Sequence, residues 1–172
     1  MRAAERSDAR FVWDLLNEPA VQDGWGMPGT PISIHRVEQD IEQWLERERV
    51  ATKPAGLIIG TLDSEPIGLA IVLVDGYTGA TATLSLAIDP DWQDQGYGRD
   101  ALTALIDTLF DEWRVHRIEV TCEAGNERAA HLYESLGFVH EGTRRGATFL
   151  SGAYQDQRIY GLLATDPRPD PA

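Results

Sequence analysis

The residues best spaced for chemistry lie in Asp89–Arg99, DPDWQDQGYGR. A β-type apolar run, Thr83–Ile88 (TLSLAI), enters this stretch, and a helical pattern, Asp100–Trp113, leaves it. Strand, glycine-bearing loop and helix together aim backbone N–H groups and a positive helix end at an anion, usually a phosphate. Three phosphate loops can be compared with it. A Walker A loop needs a lysine directly after its last glycine, and Lys53 is the only lysine of the chain. A dinucleotide fingerprint fits Gly96, Gly98 and Ala101, with Glu119 or Glu123 as the ribose-binding acid about 20 residues on. That fingerprint starts directly at its strand end, whereas the seven residues Asp89–Gln95 separate Ile88 from Gly96 here. The third pattern, Gln-x-x-Gly-x-Gly, fits Gln93-Asp94-Gln95-Gly96-Tyr97-Gly98 without a gap.

One strand later comes a second constellation, Asn126-x2-Ala129-x3-Tyr133-x3-Gly137-Phe138. The two motifs, in this order, resemble the GNAT N-acetyltransferase superfamily, and the resemblance covers nearly the whole chain. Asn17-Glu18-Pro19-Ala20-Val21 and Gly152-x-Tyr154-x-Asp156 are similar to the branch holding ribosomal-protein N-terminal acetyltransferases. That branch also holds antibiotic- and sugar-acetylating enzymes, so the acceptor stays open.

The resemblance implies acetyl-CoA as acyl donor, direct attack by a primary amine, and no metal. Gln93, Asp94, Gln95, Gly96, Tyr97, Gly98 and Arg99 would form the pyrophosphate loop. The pantetheine arm would lie along the backbone of Leu86, Ala87 and Ile88, where strand 83–88 parts from strand 117–122. Asn126 and Ala129 would contact that arm, and Tyr133 would be the general acid for the departing thiolate. Many members of the family carry a glutamate on the strand before the loop, and this strand has none. Ser85 can position a water there but cannot itself take the proton. Glu119, Glu123, Asp89, His116 and His140 are the titratable neighbours, and ordered water serves equally well. The acceptor pocket is expected from the loop Ala20–Pro31, with Asp23, Trp25 and Met27, and from a late loop, Arg144–Asp156.

Plainer roles stand beside these. Tyr133 at helical spacing suits a core, and Asn126 suits an N-cap. Trp25 can anchor a surface loop, and Cys122 reads as a buried structural thiol. The four histidines lack metal-ligand spacing.

Such a site needs a particular frame. A short strand at Arg2–Glu5 and helices at Asp8–Asn17 (N-capped by Ser7 and stopped by Pro19) and Ser33–Arg49 precede the strands. Strands at Ala55–Leu62, Ile67–Val74 and Ala80–Ile88 follow one another across short turns and are therefore antiparallel. The helical crossover at 100–113 makes 83–88 and 117–122 parallel. Helix 126–136, strand 138–143 and strand 157–164 complete the chain. The expectation is a single α+β domain over 1–165 with the GNAT fold. Its sheet should be mixed but mostly antiparallel, with about seven strands and four helices, and 166–172 should be a disordered tail.

The formal charge of −13 disfavours nucleic acid and anionic membrane as partners. It suits a cationic acceptor such as a polyamine, an aminoglycoside or a basic peptide, or it reflects a saline host. No apolar run is long enough to cross a membrane. The N-terminus, MRAAERSDAR, has no apolar core for a secretory signal, and one cysteine allows no intrachain disulfide, so a cytoplasmic setting is expected. The expected activity is N-acetylation of a primary amine on a small molecule or peptide or at a protein N-terminus. The missing strand glutamate motivates one alternative, a non-catalytic acyl-CoA-binding module. A homodimer is a family-level expectation.

Overall fold

The computed structural model describes residues 1–25, 29–51, 53, 55–75, 80–150 and 152–168. One seven-stranded sheet runs in the order β1-β2-β3-β4-β5-β7-β6. The strands are β1 (Arg2–Ala3), β2 (Gly56–Gly60), β3 (Pro66–Val74), β4 (Thr81–Ile88), β5 (Arg117–Glu123), β6 (Val139–Leu150) and β7 (Ala153–Leu163). Every neighbouring pair is antiparallel except β4 with β5. The helix between those two makes them parallel, because a crossover returns the chain to the same sheet end.

Five α-helices flank the sheet: α1 (Ala9–Leu16), α2 (Pro19–Gly24), α3 (Ile34–Ala51), α4 (Tyr97–Asp107) and α5 (Glu127–Ser135). They divide by face, as strand alternation requires. Ala82, Leu84, Ile88, Ile118, Val120 and Cys122 pack with α4 and α5 in one core. Ile58, Leu69 and Ala87 pack with Val12 and Leu15 of α1 and Val37 and Ile41 of α3 in the other. A π-helical turn, Thr108–Glu112, extends α4 and buries the consecutive Leu109 and Phe110. The β6–β7 end of the sheet is barely covered. Most of β6 is exposed, and Phe149 and Tyr154 stack on one another there with ring centroids 5.2 Å apart.

Three expectations need correction. Pro19 does not simply stop α1; it opens α2 as an N-terminal residue, where its missing N–H costs nothing. Part of the expected loop is therefore a fifth helix, against four expected. The first helix is not capped by Ser7: a 3-10 turn, Arg6–Asp8, precedes it, and the Asp8 carboxylate accepts from the Glu5 N–H at 2.8 Å. The late loop Arg144–Asp156 is mostly strand, because β6 runs on to Leu150 and β7 begins at Ala153. Of the expected tail, Asp166 accepts from the Leu163 N–H, and Arg168 pairs with Asp107 and Asp111. Residues 169–172 lie outside the described residues.

Candidate active site

The sheet opens where the parallel pairing ends. β4 and β5 are in register from Thr81 with Arg117 to Leu84 with Val120, and not beyond. β5 instead follows β7 as far as Glu123 with Gln157. The Asp89 N–H bonds the Ile67 carbonyl of β3, so the odd-numbered residues of β4 point their backbone groups toward β3. Leu86 and Ile88 therefore turn their N–H and C=O groups to the gap. Buried carbonyls need partners, and side chains replace the lost strand. The Trp25 indole N–H donates to the Leu86 carbonyl at 3.1 Å, and the Gln93 amide donates to the Ile88 carbonyl at 2.7 Å.

A cleft occupies this gap. Leu84, Leu86, Ala87 and Ile88 form one wall; Asn126, Ala129 and Tyr133 of the α5 segment form the other. Gln93 and Gly98 close the loop end, and Val21, Gly24 and Trp25 close the α2 end. The structure thus brings together Leu86, Ala87, Ile88, Gln93, Gly98, Asn126, Ala129, Tyr133 and Trp25 among the residues singled out by sequence.

The glycine loop leaves backbone N–H groups free at the start of α4. Gly96 is the N-cap of α4 and has φ +91°, a left-handed conformation that glycine adopts without a Cβ penalty. The Asp100 N–H bonds the Gly96 carbonyl, so the N–H groups of Tyr97, Gly98 and Arg99 form the unpartnered first turn. Asp94 also has positive φ, +59°. Gln93 spends its side chain on structure: its carbonyl oxygen accepts from Arg128 at 2.8 Å while its amide holds Ile88. Gln95 bonds the Asp91 carbonyl, and the Tyr97 ring stacks edge-on against Trp92. The Arg99 guanidinium donates to Ser135 Oγ at 2.7 Å, which tethers α4 to α5 at the loop's rim. Sequence reasoning misses Arg128, an exposed cation 3.6 Å from Asp94 that lines the cleft. Its position two residues after Asn126, at the exposed start of α5, is the signal that would find it.

Tyr133 is half-buried, with ring centroids 5.8 Å from Phe138 and 5.6 Å from Tyr160. Burial raises the phenol above its ordinary value, and Cys122 and Tyr160 push it further the same way. The hydroxyl thus stays protonated through the neutral range, and no described residue takes it up as a hydrogen-bond partner. Asn126 fills both of its anticipated places. Its side-chain oxygen accepts from the Ala129 N–H at 3.1 Å as the N-cap of α5, and its amide nitrogen faces Gly24. Cys122 is buried beneath the site, and burial pushes its thiol up to about 11.

Ser85 is exposed on the face opposite Leu84 and Leu86 and is not among the cleft's lining residues. Asp23 is exposed on α2 and likewise stands outside the lining. Met27 lies outside the described residues. Among the described residues no His, Cys, Asp and Glu group is arranged to hold a metal.

Residues 13–138 match the acetyltransferase (GNAT) family. Over 169 residues the chain is 28% identical to the spermidine N(1)-acetyltransferase of Vibrio cholerae, covering 94% of this chain and 91% of that protein. The crystal structure of the spermidine N-acetyltransferase from Vibrio cholerae in complex with CoA and spermine superposes with a TM-score of 0.84 at 27% identity, covering 95% and 94% of the two chains. The [ribosomal protein bS18]-alanine N-acetyltransferase of Escherichia coli is 46% identical over 82 residues, which cover 47% of this chain and 55% of that protein.

Proposed function

The chain belongs to the acetyltransferase (GNAT) family, and from that premise we propose that it N-acetylates a polyamine with acetyl-CoA as the donor. The general activity, acetyl-CoA-dependent transfer to an amine, follows from membership and from relatives that carry that activity in their names. The polyamine is the finer step. Its support is the nearly full-length match to spermidine acetyltransferases, against a match of about half the chain to the ribosomal-protein enzyme. The charge of −13 agrees with a multiply cationic acceptor.

The residues present fit the donor. An acyl-CoA brings a pyrophosphate, an amide-bearing arm and a thioester. The first turn of α4 offers N–H groups to the pyrophosphate, with Arg99 and Arg128 on the rim to add charge-assisted bonds. Leu86 and Ile88 turn backbone N–H and C=O groups into the gap, as an extended amide chain requires. Trp25 and Gln93 hold the two carbonyls there. The single observation that carries this reading is the early end of the β4–β5 ladder at Leu84 and Val120.

When bound, the donor supplies an acetyl group on a good leaving sulfur. The protein's part is to hold an amine beside it and to manage protons. Tyr133 would be the acid: its phenol, kept protonated by burial, would give its proton to the sulfur as the nitrogen–carbon bond forms and the carbon–sulfur bond breaks, and the proton lost by the amine would restore it. Strand N–H groups facing the gap polarise the thioester carbonyl. No carboxylate on β4 takes the amine's proton, so it leaves through water.

The test is release of free thiol from acetyl-CoA with spermidine, spermine, an aminoglycoside and an N-terminal peptide as acceptors. Highest kcat/KM on the two polyamines is expected. Turnover confined to the peptide would overturn the polyamine, and tight donor binding without turnover on any amine would overturn the activity.

A further inference from the structure

We infer that Glu123, at the end of β5, is the carboxylate that holds an ammonium group of the acceptor. Two charged side chains are buried among the described residues, Asp8 and Glu123. They are solved differently. Asp8 is 6% exposed and has its cation, with both oxygens bonded by the Arg2 guanidinium at 2.6 and 2.7 Å. Glu123 is 8% exposed and makes no ion pair among the described residues. Its one side-chain hydrogen bond among the described residues comes from Thr148 Oγ1 to Oε2 at 2.6 Å. Burying a carboxylate without a counter-charge is costly, so a site of this kind is completed by a cation from outside.

The position fits that cation's role. Cys122 faces the α4–α5 core, so Glu123 faces the other side of the sheet. Ser85 and Ala87 of β4 share that side, and Ala87 packs there with the α1 and α3 residues. Continuing the parallel register past Leu84 and Val120 sets Glu123 opposite Ala87, across the opened gap. With the donor on the α4–α5 side, the face that holds Glu123 is left for the acceptor, although Glu123 itself is not among the cleft's lining residues. No described residue hydrogen-bonds Oε1, and no buried side-chain oxygen or nitrogen among the described residues lacks a partner. Oε1 therefore keeps some contact with solvent, the direction from which an ammonium would meet it. Of the other charges on this side, three form one cluster, and the fourth, Arg144, in the same cross-strand row as Glu123, donates to a neutral amide. Glu119 and Glu141 both bond Arg117, and Arg144 bonds Gln157. Thr148 arrives from the β6–β7 hairpin, so the hairpin sets the carboxylate's rotamer.

This assignment rests on the amine-acceptor reading. The test compares wild type with Glu123→Gln, which keeps the shape and the Thr148 bond but removes the charge. The KM for spermidine should rise about tenfold or more, with the KM for acetyl-CoA within about twofold. Spermidine alone should raise the melting temperature of the wild type and not of the variant. Glu123→Asp, which keeps the charge one methylene back, should fall between them. The variant should also melt at or above the wild type, since it sheds a buried unpaired charge; a Gln protein that melts well below wild type or fails to fold would contradict the argument. Equal spermidine KM values and equal thermal shifts would overturn the assignment while leaving the activity standing. A Glu123-dependent thermal shift in a protein that acetylates no amine would overturn the activity and leave the ammonium site; no shift in either protein would overturn the site.

Discussion

The two sides of the β4–β5 opening are built from different materials. The proposed donor side rests mainly on backbone: a glycine N-cap at φ +91°, the first turn of α4, and strand edges freed by divergence, with Arg99 and Arg128 at its rim. The proposed acceptor side is made of side chains from distant segments: Trp25 from the end of α2, Glu123 from β5 and Thr148 from β6. Backbone recognises what every substrate of a family shares, because any sequence with the right φ and ψ can supply it. Side chains recognise what differs. A donor common to many enzymes and an acceptor particular to a few would require this division.

The division can be broken at several points. The largest effect belongs to Tyr133→Phe, on the α5 wall of the cleft. It should lower kcat by about a hundredfold or more and leave both KM values near wild type. A general acid kept protonated by burial also predicts no loss of rate from its ionisation up to about pH 10, the ordinary tyrosine value. A KM effect without a kcat effect would make Tyr133 a wall and not an acid. Gly96→Ala should act on the donor alone. A left-handed alanine costs about 1–2 kcal/mol; with open space around the added Cβ, the strain is conformational. Acetyl-CoA KM should rise several-fold with spermidine KM unchanged, read by steady-state kinetics beside a melting curve.

Asp8→Asn lies far from both sides and should touch stability alone. It removes a buried charged pair, but Arg2 is half exposed, so about 1 kcal/mol is expected. The Arg2 bond holds the Asp8 carboxyl below its usual range. Its contribution is therefore full above the unfolded value of about 4 and disappears as pH falls through the folded value. Denaturant melts should show the wild-type advantage at pH 7 and lose it in acid. The smallest effect concerns Cys122: with its thiol near 11, it should stay unalkylated at pH 8 in native protein and react once urea unfolds it.

The same division decides what is legible in the sequence. The donor side reads well because its requirements are local. Gln93, Gly96 and Gly98 stand within six residues, Asn126 to Tyr133 within one helix, and Gly137 ends that helix at φ +91°. The strands read well where one face is buried. The β6–β7 hairpin does not, because exposure on both faces leaves no apolar alternation to see. α2 stays hidden because proline marks a helix start as readily as a stop. Most of all, Glu123 and Thr148 are separated by 25 positions. That an acid lacks a cation is a fact about space, and no local pattern contains it.

The indole of Trp25 has a practical consequence. It is one of five tryptophans, and it donates to the very carbonyl that faces the cleft. A ligand that bonds Leu86 C=O either displaces that indole or shares the oxygen with it, and both change its environment. The protein therefore carries its own optical reporter at the junction of both substrates, and a fluorescence titration with the other four rings as background would count each ligand as it arrives.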